Sequence, residues 1–359
     1  MTQDAARLRL SAHLLTGFAR DILTAAGLSG TDAATVSDCL VYADLRGVES
    51  HGVSRLPIYA RRIADGNVNA RPRPRVERGE RRALRVIDGD NGPGAVVGRF
   101  AMEQAIAAAE DFGVGFALVR SSNHFGMGAW YAGMAAERNC LGICASNAPP
   151  TMAVWGAREV ALGTNPIAIA APAGRYGQIN LDMSTSAVAK GKVLVYARKG
   201  EAIPEGWAID IEGRPTTDAA AAMAGVMLPL GGAKGSGLGL IVDLISGVMS
   251  GAAFGDGVAD QYSVFDRPQD VGHFFIAANI DDMLPLDAYQ RRVEDFIGGL
   301  KAKRCADGVA EILMPGESKA RIARDRNTRG VEIDPTLESQ LDDLAGKFGQ
   351  KRLRERQEG

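Results

Sequence analysis

The sequence predicts an α/β protein of more than one structural unit, with an α/β body between helical segments at the two chain ends. Three observations carry that expectation. The first 66 residues fall into helix-forming runs set between capping and stopping residues. From about residue 76 to residue 317, short apolar runs alternate with helical patterns. Beyond Met314-Pro315-Gly316-Glu317 the pattern is helical again. A chain of 359 residues can bury a large core and divides readily into units.

Each element follows from local signals. Ser11 caps a run through Ala25-Ala26 that Gly27 stops, and Thr31 caps a second run from Asp32 to Leu45 that Gly47 stops. A third runs from about Leu56 to Ala64 and ends at Gly66. The stretch Asn67-Val68-Asn69-Ala70-Arg71-Pro72-Arg73-Pro74 disfavours regular structure and marks the first boundary. Strands are expected at Ala83–Ile87, Gly115–Val119, Leu141–Ala145, Pro166–Ala170 and Phe274–Ala278. Helices are expected at Ala95–Asp111, Leu238–Met249 and Ala288–Lys301, then at Ser318–Asn327 and Pro335–Phe348. The division is therefore 1–75 (helical), 76–317 (α/β) and 318–359 (helical), with the two helical ends packing together as one small domain.

Composition narrows the function classes. A net charge of -2, with basic residues spread along the chain, argues against nucleic acid as the main partner. The basic end, Lys351 to Arg356, reads as a solvated, frayed terminus. No apolar run approaches the roughly 20 residues that span a bilayer, and no signal peptide or anchor is visible, so a cytoplasmic location is expected. Cys39, Cys140, Cys144 and Cys305 form no C-x-x-C pair. Cys140 and Cys144 flank an apolar, strand-like run and read as buried free thiols, with no metal site expected. Glycine is the outlier at 44 of 359 residues, about 12% against a usual ~7%.

Two glycine-rich runs invite a cofactor. Gly92-Pro93-Gly94-Ala95-Val96-Val97-Gly98 lies between a strand and a helix, as a dinucleotide fingerprint does. Its spacing is G-x-G-x-x-x-G, Pro93 removes an amide donor, and the next strand lacks a terminal acid, so it is read as a decoy. Gly231-Gly232-Ala233-Lys234-Gly235-Ser236-Gly237 is no Walker loop, but it is a glycine turn with a lysine before an apolar helix, a sound place for phosphates.

The four histidines are His13, His51, His124 and His273. His13, in a helix's first turn, and His273, opening a strand, read as surface or structural. His51 lies between a helix stop and the next helix, and His124 directly follows a strand. Each sits beside glycine and hydroxyl residues, in loops of the kind that carry sites. Gly163-Thr164-Asn165-Pro166 offers a hydroxyl and an amide at a turn. Asn180-Leu181-Asp182-Met183-Ser184-Thr185-Ser186 ends a strand with an acid and three hydroxyls. There Asp182 either caps the next helix or orients a histidine.

Together, Ser50-His51-Gly52, His124-Phe125-Gly126, Gly163-Thr164-Asn165-Pro166, Asp182 to Ser186, Ile203-Pro204-Glu205-Gly206-Trp207, Leu228 to Gly235 and Gly272-His273-Phe274-Phe275 resemble the malate/L-lactate dehydrogenase family of the L-sulfolactate dehydrogenase-like type. That family includes ureidoglycolate dehydrogenases, 2,3-diketogulonate reductases and Δ1-piperideine-2-carboxylate reductases. The resemblance implies a non-Rossmann dinucleotide domain on a largely antiparallel or mixed sheet, a helical domain from both chain ends, a homodimer, and NAD or NADP as cofactor. It implies hydride transfer between a small 2-hydroxy acid and its 2-oxo acid, with a cyclic imine reductase as the alternative. By match to the family pattern, His51 is the acid/base with Ser50 and Asp182 as partners, although some relatives place that role at His124. Arg55, Thr164 and Lys190 are matched to the substrate. His124, Phe125, Gly126, Met127, Gly128, Asp182, Met183, Ser184, Ala233, Lys234, Met314, Pro315, Gly316 and Glu317 are matched to the cofactor. Many relatives carry His and Tyr where this chain has Ala233 and Ser236, which leaves NAD and NADP both open. Leu56 and Trp155 are further candidates for the wall facing the substrate's tail.

Overall fold

A computed structural model describes residues 8–357. The two chain ends meet. From the amino end come β1 (Leu8–Leu10), α1 (Ala12–Ala25), α2 (Gly30–Leu45) and α3 (Leu56–Ala64). From the carboxyl end come α10 (Glu317–Arg329), β14 (Val331–Ile333), α11 (Pro335–Lys347) and α12 (Leu353–Gln357). Strands β1 and β14 pair antiparallel, Leu8 opposite Ile333 and Leu10 opposite Val331. Around that pair Leu15, Phe18, Ile22, Leu40, Leu341 and Leu353 form one apolar cluster. Each such side chain taken fully out of water contributes roughly 1.5–3 kcal/mol.

Ser11 caps α1 as expected, its Oγ accepting the Leu14 N–H at 3.2 Å. Helix α2 departs from expectation. Its cap is Ser29 rather than Thr31, because the Ser29 hydroxyl accepts the Asp32 N–H (3.1 Å) and donates to the Asp32 carboxylate (2.6 Å). The basic terminus departs further. Instead of fraying it forms α12, where Leu353 is buried in the shared core and Arg356 pairs with Asp21 of α1 at 2.7 Å. One buried leucine and one ion pair anchor a run that charge counting alone assigns to solvent.

The body is a seven-stranded sheet in the order β2 (Arg75–Arg78), β3 (Leu84–Asp88), β4 (Val114–Ser122), β13 (Val271–Asn279), β5 (Cys140–Ser146), β8 (Ile167–Pro172), β9 (Gln178–Met183). Only β3 and β4 run parallel, joined by α4 (Gly94–Phe112); every other neighbour is antiparallel. The sheet is thus mixed and largely antiparallel, not the parallel sheet of a Rossmann domain. Beside α4, α5 (Gly128–Glu137) packs on the same sheet.

A second sheet of short strands has the order β11 (Pro215–Thr216), β10 (Ala208–Ile209), β12 (Val226–Met227), β6 (Met152–Ala153), β7 (Val160–Leu162). Helices α6 (Lys190–Lys199), α7 (Ala219–Ala224), α8 (Ala233–Asp243) and α9 (Leu286–Lys301) complete the body. Helix α8 begins at Ala233, ahead of the expected Leu238, and continues through a π-helical turn to Met249. Cys39, Cys140 and Cys144 are buried free thiols, and Cys305 is exposed. Among the described residues no helix is long and apolar enough to cross a membrane.

Candidate active site

Helix α2 ends at Leu45, and Gly47, at φ 69°, turns the chain out of it. Two short 3-10 turns follow, Glu49–His51 and Val53–Arg55, leading straight into α3. Asp44 holds this path in place. Its buried carboxylate accepts the Val53 N–H at 2.8 Å, and a Cβ at Gly52 would fall 1.7 Å from its Oδ1. No residue but glycine fits there. Burial raises the Asp44 carboxyl to about 7, against the Val53 hydrogen bond that lowers it. The Ser50 Oγ lies 3.0 Å from His51 Nδ1, and Arg55 Nε donates to the Ser50 carbonyl at 2.5 Å. Among the described residues nothing bonds the two terminal nitrogens of Arg55. Burial and the adjacent Arg55 push the His51 ring down to about 4.

The second histidine arrives from the sheet. Strand β4 leaves its regular path at Ser121, whose φ is 53°, and the next loop delivers His124. The rings of His51 and His124 stand 5.5 Å apart. Tyr59 of α3 bonds His124 Nδ1 at 2.5 Å. Arg55 at the N-cap of α3, and Tyr59 and Arg62 within it, are spaced i, i+4 and i+7, which sets all three on one side of the helix. Arg62 is fully buried; its Nη1 donates to the Gln261 and Val264 carbonyls at 3.2 and 2.7 Å, and a small cavity lies between it, Tyr59, Asn123 and His124.

A third group gathers at the end of β9. The Asp182 carboxylate accepts the Ala129 N–H at 2.8 Å, the Asn180 side chain donates to the Ala129 carbonyl at 3.0 Å, and the Asn180 N–H donates to Pro315 O at 3.0 Å. Residues 128–129, 180–182 and 315–316 therefore form one rim. Glu317 closes it from α10, pairing with Lys301 at 2.6 Å and accepting the Met314 N–H at 3.1 Å; those contacts hold its carboxyl at about 2. Through Leu230 N to Thr185 O (2.9 Å) the rim continues to the second glycine run. There Gly231 and Gly232 adopt φ of 61° and 67°, α8 starts without a side-chain cap, and Lys234 is exposed in its first turn. Uncapped N–H groups, a helix dipole and a lysine suit the phosphates of a dinucleotide.

Comparison with known proteins decides the family. The model of the family described as malate/L-lactate dehydrogenase matches residues 10–342. The chain belongs to that family. It is 40% identical over 329 residues to the L-sulfolactate dehydrogenase of Methanocaldococcus jannaschii, covering 92% of this chain and 94% of that protein. It is also 40% identical over 354 residues to the malate dehydrogenase of Pyrococcus horikoshii, covering 96% and 97%. The solved structure of the Methanocaldococcus jannaschii sulfolactate dehydrogenase superposes with a TM-score of 0.91 at 37% identity, over 97% of this chain and 99% of that one. Relatives named for each cofactor occur: ureidoglycolate dehydrogenase (NAD(+)) of Escherichia coli K12, 33% identical over 91% of this chain and 93% of that protein, and (2R)-3-sulfolactate dehydrogenase (NADP(+)) of Chromohalobacter salexigens, 35% over 89% and 92%. A solved Δ1-piperideine-2-carboxylate reductase of Pseudomonas syringae matches at 28% identity and TM-score 0.83, over 94% of this chain and all of that one.

Within this dehydrogenase the expected site residues divide. Ser50, His51, Arg55 and His124 are brought together. Asp182, Gly128 and Met314 to Glu317 meet at the rim, with Met183 and Ser184 running on from Asp182. Asp182 is not hydrogen-bonded to either histidine; its partner is the first turn of α5, so it caps that helix from across the sheet rather than the helix that follows it in sequence. Thr164 uses its carbonyl to hold the Thr185 N–H and hydroxyl, at 2.8 and 3.0 Å. Lys190 opens α6, exposed and without a hydrogen bond to the histidine pair. Phe125 and Met127 turn their side chains into the core, Phe125 stacking on His273 at 4.8 Å. Only their backbone is left for a ligand. Leu56 is buried in the core of the helical ends, and Trp155 is exposed against Gly232. His13 is exposed; His273 is buried with its ring nitrogens 2.9 and 2.8 Å from the Ser146 and Ser122 hydroxyls.

Two residues were missed from sequence. Tyr59 stands four positions after Arg55 in a predicted helix, so helical spacing was the available signal. Asp44 gave none, because its partner across Gly52 is a backbone amide.

Proposed function

We propose that this protein interconverts a small 2-hydroxy acid and its 2-oxo acid with NAD or NADP, with His51 as the acid/base. One observation supports it most: two histidine rings 5.5 Å apart beside an arginine whose terminal nitrogens have no hydrogen-bond partner among the described residues. When bound, the nicotinamide supplies or accepts the hydride. His51 holds the exchanged proton on Nε2 while Ser50 steadies Nδ1. Arg55 takes the substrate carboxylate through its two terminal nitrogens, its Nε being engaged by Ser50. Burial is the larger cause of the depressed His51 value and Arg55 the smaller, so the carboxylate, by cancelling the guanidinium's charge, removes only the smaller one. Thr164 and Lys190 are assigned to the far side of the substrate, and Asp182 to the cofactor rim, where its hydrogen bond lies.

Residues 1–75 and 318–359 are proposed as one helical unit on 76–317, in keeping with the shared β1–β14 pair. A homodimer is proposed through α8 and its π-helical extension. Leu240, Ile241, Leu244 and Val248 form an exposed apolar stripe there at helical spacing, and a second copy is the occupant proposed for it. The cytoplasm remains the proposed location.

The test is oxidation of NADH and NADPH by the purified enzyme against pyruvate, oxaloacetate, sulfopyruvate, 2,3-diketogulonate and the two cyclic imine acids, with ureidoglycolate run in reverse. Preference for a 2-oxo acid supports the proposal, whereas preference for a cyclic imine replaces it with an imine reductase. His51→Ala is expected to lose about 10²- to 10⁴-fold in kcat with cofactor binding intact. Full activity in that variant transfers the role to His124.

A further inference from the structure

We propose that Tyr59 is a positioning residue that fixes His124 as a neutral, Nε2–H hydrogen-bond donor, leaving proton exchange with solvent to His51. The proposal rests on the reading of His51, Arg55 and His124 as one substrate site, and adds a division of labour between the two rings.

The geometry of the Tyr59 hydroxyl sets the tautomer. It lies 2.5 Å from His124 Nδ1, burial keeps the phenol protonated, and among the described residues that buried proton has no other acceptor, so it is donated to Nδ1. A nitrogen that accepts cannot carry a hydrogen, so the ring's one proton sits on Nε2. A second proton on Nδ1 would reverse that bond and leave the phenol's own buried proton without an acceptor among the described residues. It would also place a cation among Arg55 from the 3-10 turn, His51 from the preceding turn and His273 from β13, with Arg62 of α3 lining the same cavity. Burial adds to these repulsions, and His124 is held well below the usual histidine range.

His51 has the opposite surroundings. Its Nδ1 partner is the hydroxyl of Ser50, an exposed residue, which can donate or accept by rotating. That hydroxyl therefore holds His51 Nδ1 whether the ring is neutral or charged. Among the described residues the His124 ring is hydrogen-bonded by Tyr59 alone. With two rings 5.5 Å apart, like charges cannot both persist, and the ring whose Nδ1 partner tolerates both charge states carries the mobile proton. In the reducing direction the substrate carbon gains the hydride from the reduced nicotinamide and its oxygen gains the proton from His51 Nε2. His51 is left neutral with its remaining hydrogen on Nδ1 toward Ser50, and it regains a proton at Nε2 from water as the product leaves. The His124 Nε2–H bond stays intact throughout and only polarises that oxygen.

Because the chain has four histidines, the enzyme labelled with [15N]histidine gives a readable spectrum, His124 being assigned by its loss in His124→Gln. The expected result is an Nε2–H tautomer that does not titrate between about pH 5 and 8, and a mixture of tautomers in Tyr59→Phe. An Nδ1–H tautomer, a titrating His124, or a spectrum unmoved by Tyr59→Phe overturns the proposal. With NADH and oxaloacetate or pyruvate, Tyr59→Phe is expected to lower kcat at least about tenfold while the acid limb of the pH profile, which belongs to His51, stays in place. An unchanged kcat or a displaced limb refutes it as well. If the unsubstituted enzyme reduces neither acid, the functional reading fails separately, and the nitrogen spectrum still decides the tautomer.

Discussion

The two glycine-rich runs, Gly92–Gly98 and Gly231–Gly237, both lead into a helix, yet the structure uses them in opposite ways. In the first, every glycine is pressed against something. A Cβ on Gly94 would fall 2.2 Å from the Asn123 carbonyl and 2.4 Å from that of His124, and one on Gly98 would fall 2.8 Å from the Tyr131 ring. The run that looks like a cofactor fingerprint thus lets α4 butt against the His124 loop, with no room left for a pyrophosphate. In the second run Gly235 is packed too, a Cβ there falling 2.1 Å from the Leu230 carbonyl oxygen, and Gly232 backs onto Trp155. Gly231 and Gly237, however, face open space, and the glycines at 231 and 232 are needed for their positive φ. Glycine spacing alone does not separate the two uses. What separates them is that the first run has no glycine left facing open space, whereas the second keeps Gly231 and Gly237 open at the start of its helix.

Three experiments sharpen or break this contrast. Gly94→Ala has the largest expected effect, because both clashing atoms are backbone and cannot swing aside. A loss of about 3 kcal/mol by denaturant unfolding is expected, with activity falling as the His124 loop shifts. A stable Gly94→Ala variant with weakened cofactor binding instead would restore the fingerprint reading.

Next comes acid sensitivity behind the same loop. His273 sits under Phe125, and burial pushes its ring down to about 3, below the ordinary 6.5. The folded state then binds fewer protons than the unfolded chain between those values. Its contribution is present above about pH 6.5 and is lost as pH falls toward 3, roughly 2 kcal/mol of it by about pH 5. Unfolding curves of His273→Gln should lose less between pH 7 and pH 5 than those of the parent; equal slopes would contradict this. The smallest effect is expected on the open side. Lys234→Ala should raise the Kd for NADH about tenfold, near 1.4 kcal/mol, with Tm unchanged. A fall in Tm with binding intact would make the second run a packing element too.

The site was legible in the sequence to different depths. His51 and His124 stood out because histidine is scarce and both lie in loops. Arg55 came through the family pattern. Tyr59 was hidden by a second step, since i+4 spacing shows a shared helix face but not what that face meets. The fold's mixed sheet came likewise from family resemblance, for apolar runs at strand length do not reveal which neighbours they pair with.

By itself, then, the sequence determined the longer elements, where Ser11 and Gly27 bound a helix, and which loops hold histidines, but not the short strands of the second sheet or helices α5 to α7. What it did determine are local preferences, set by side-chain periodicity and backbone dihedral cost. Only the tertiary structure decided that the basic end docks through Leu353, that Asp182 caps α5 from another strand, and that Gly94 is packed while Gly231 is open. Each of these depends on atoms distant in sequence filling, or leaving empty, the same few ångströms. No local preference encodes that.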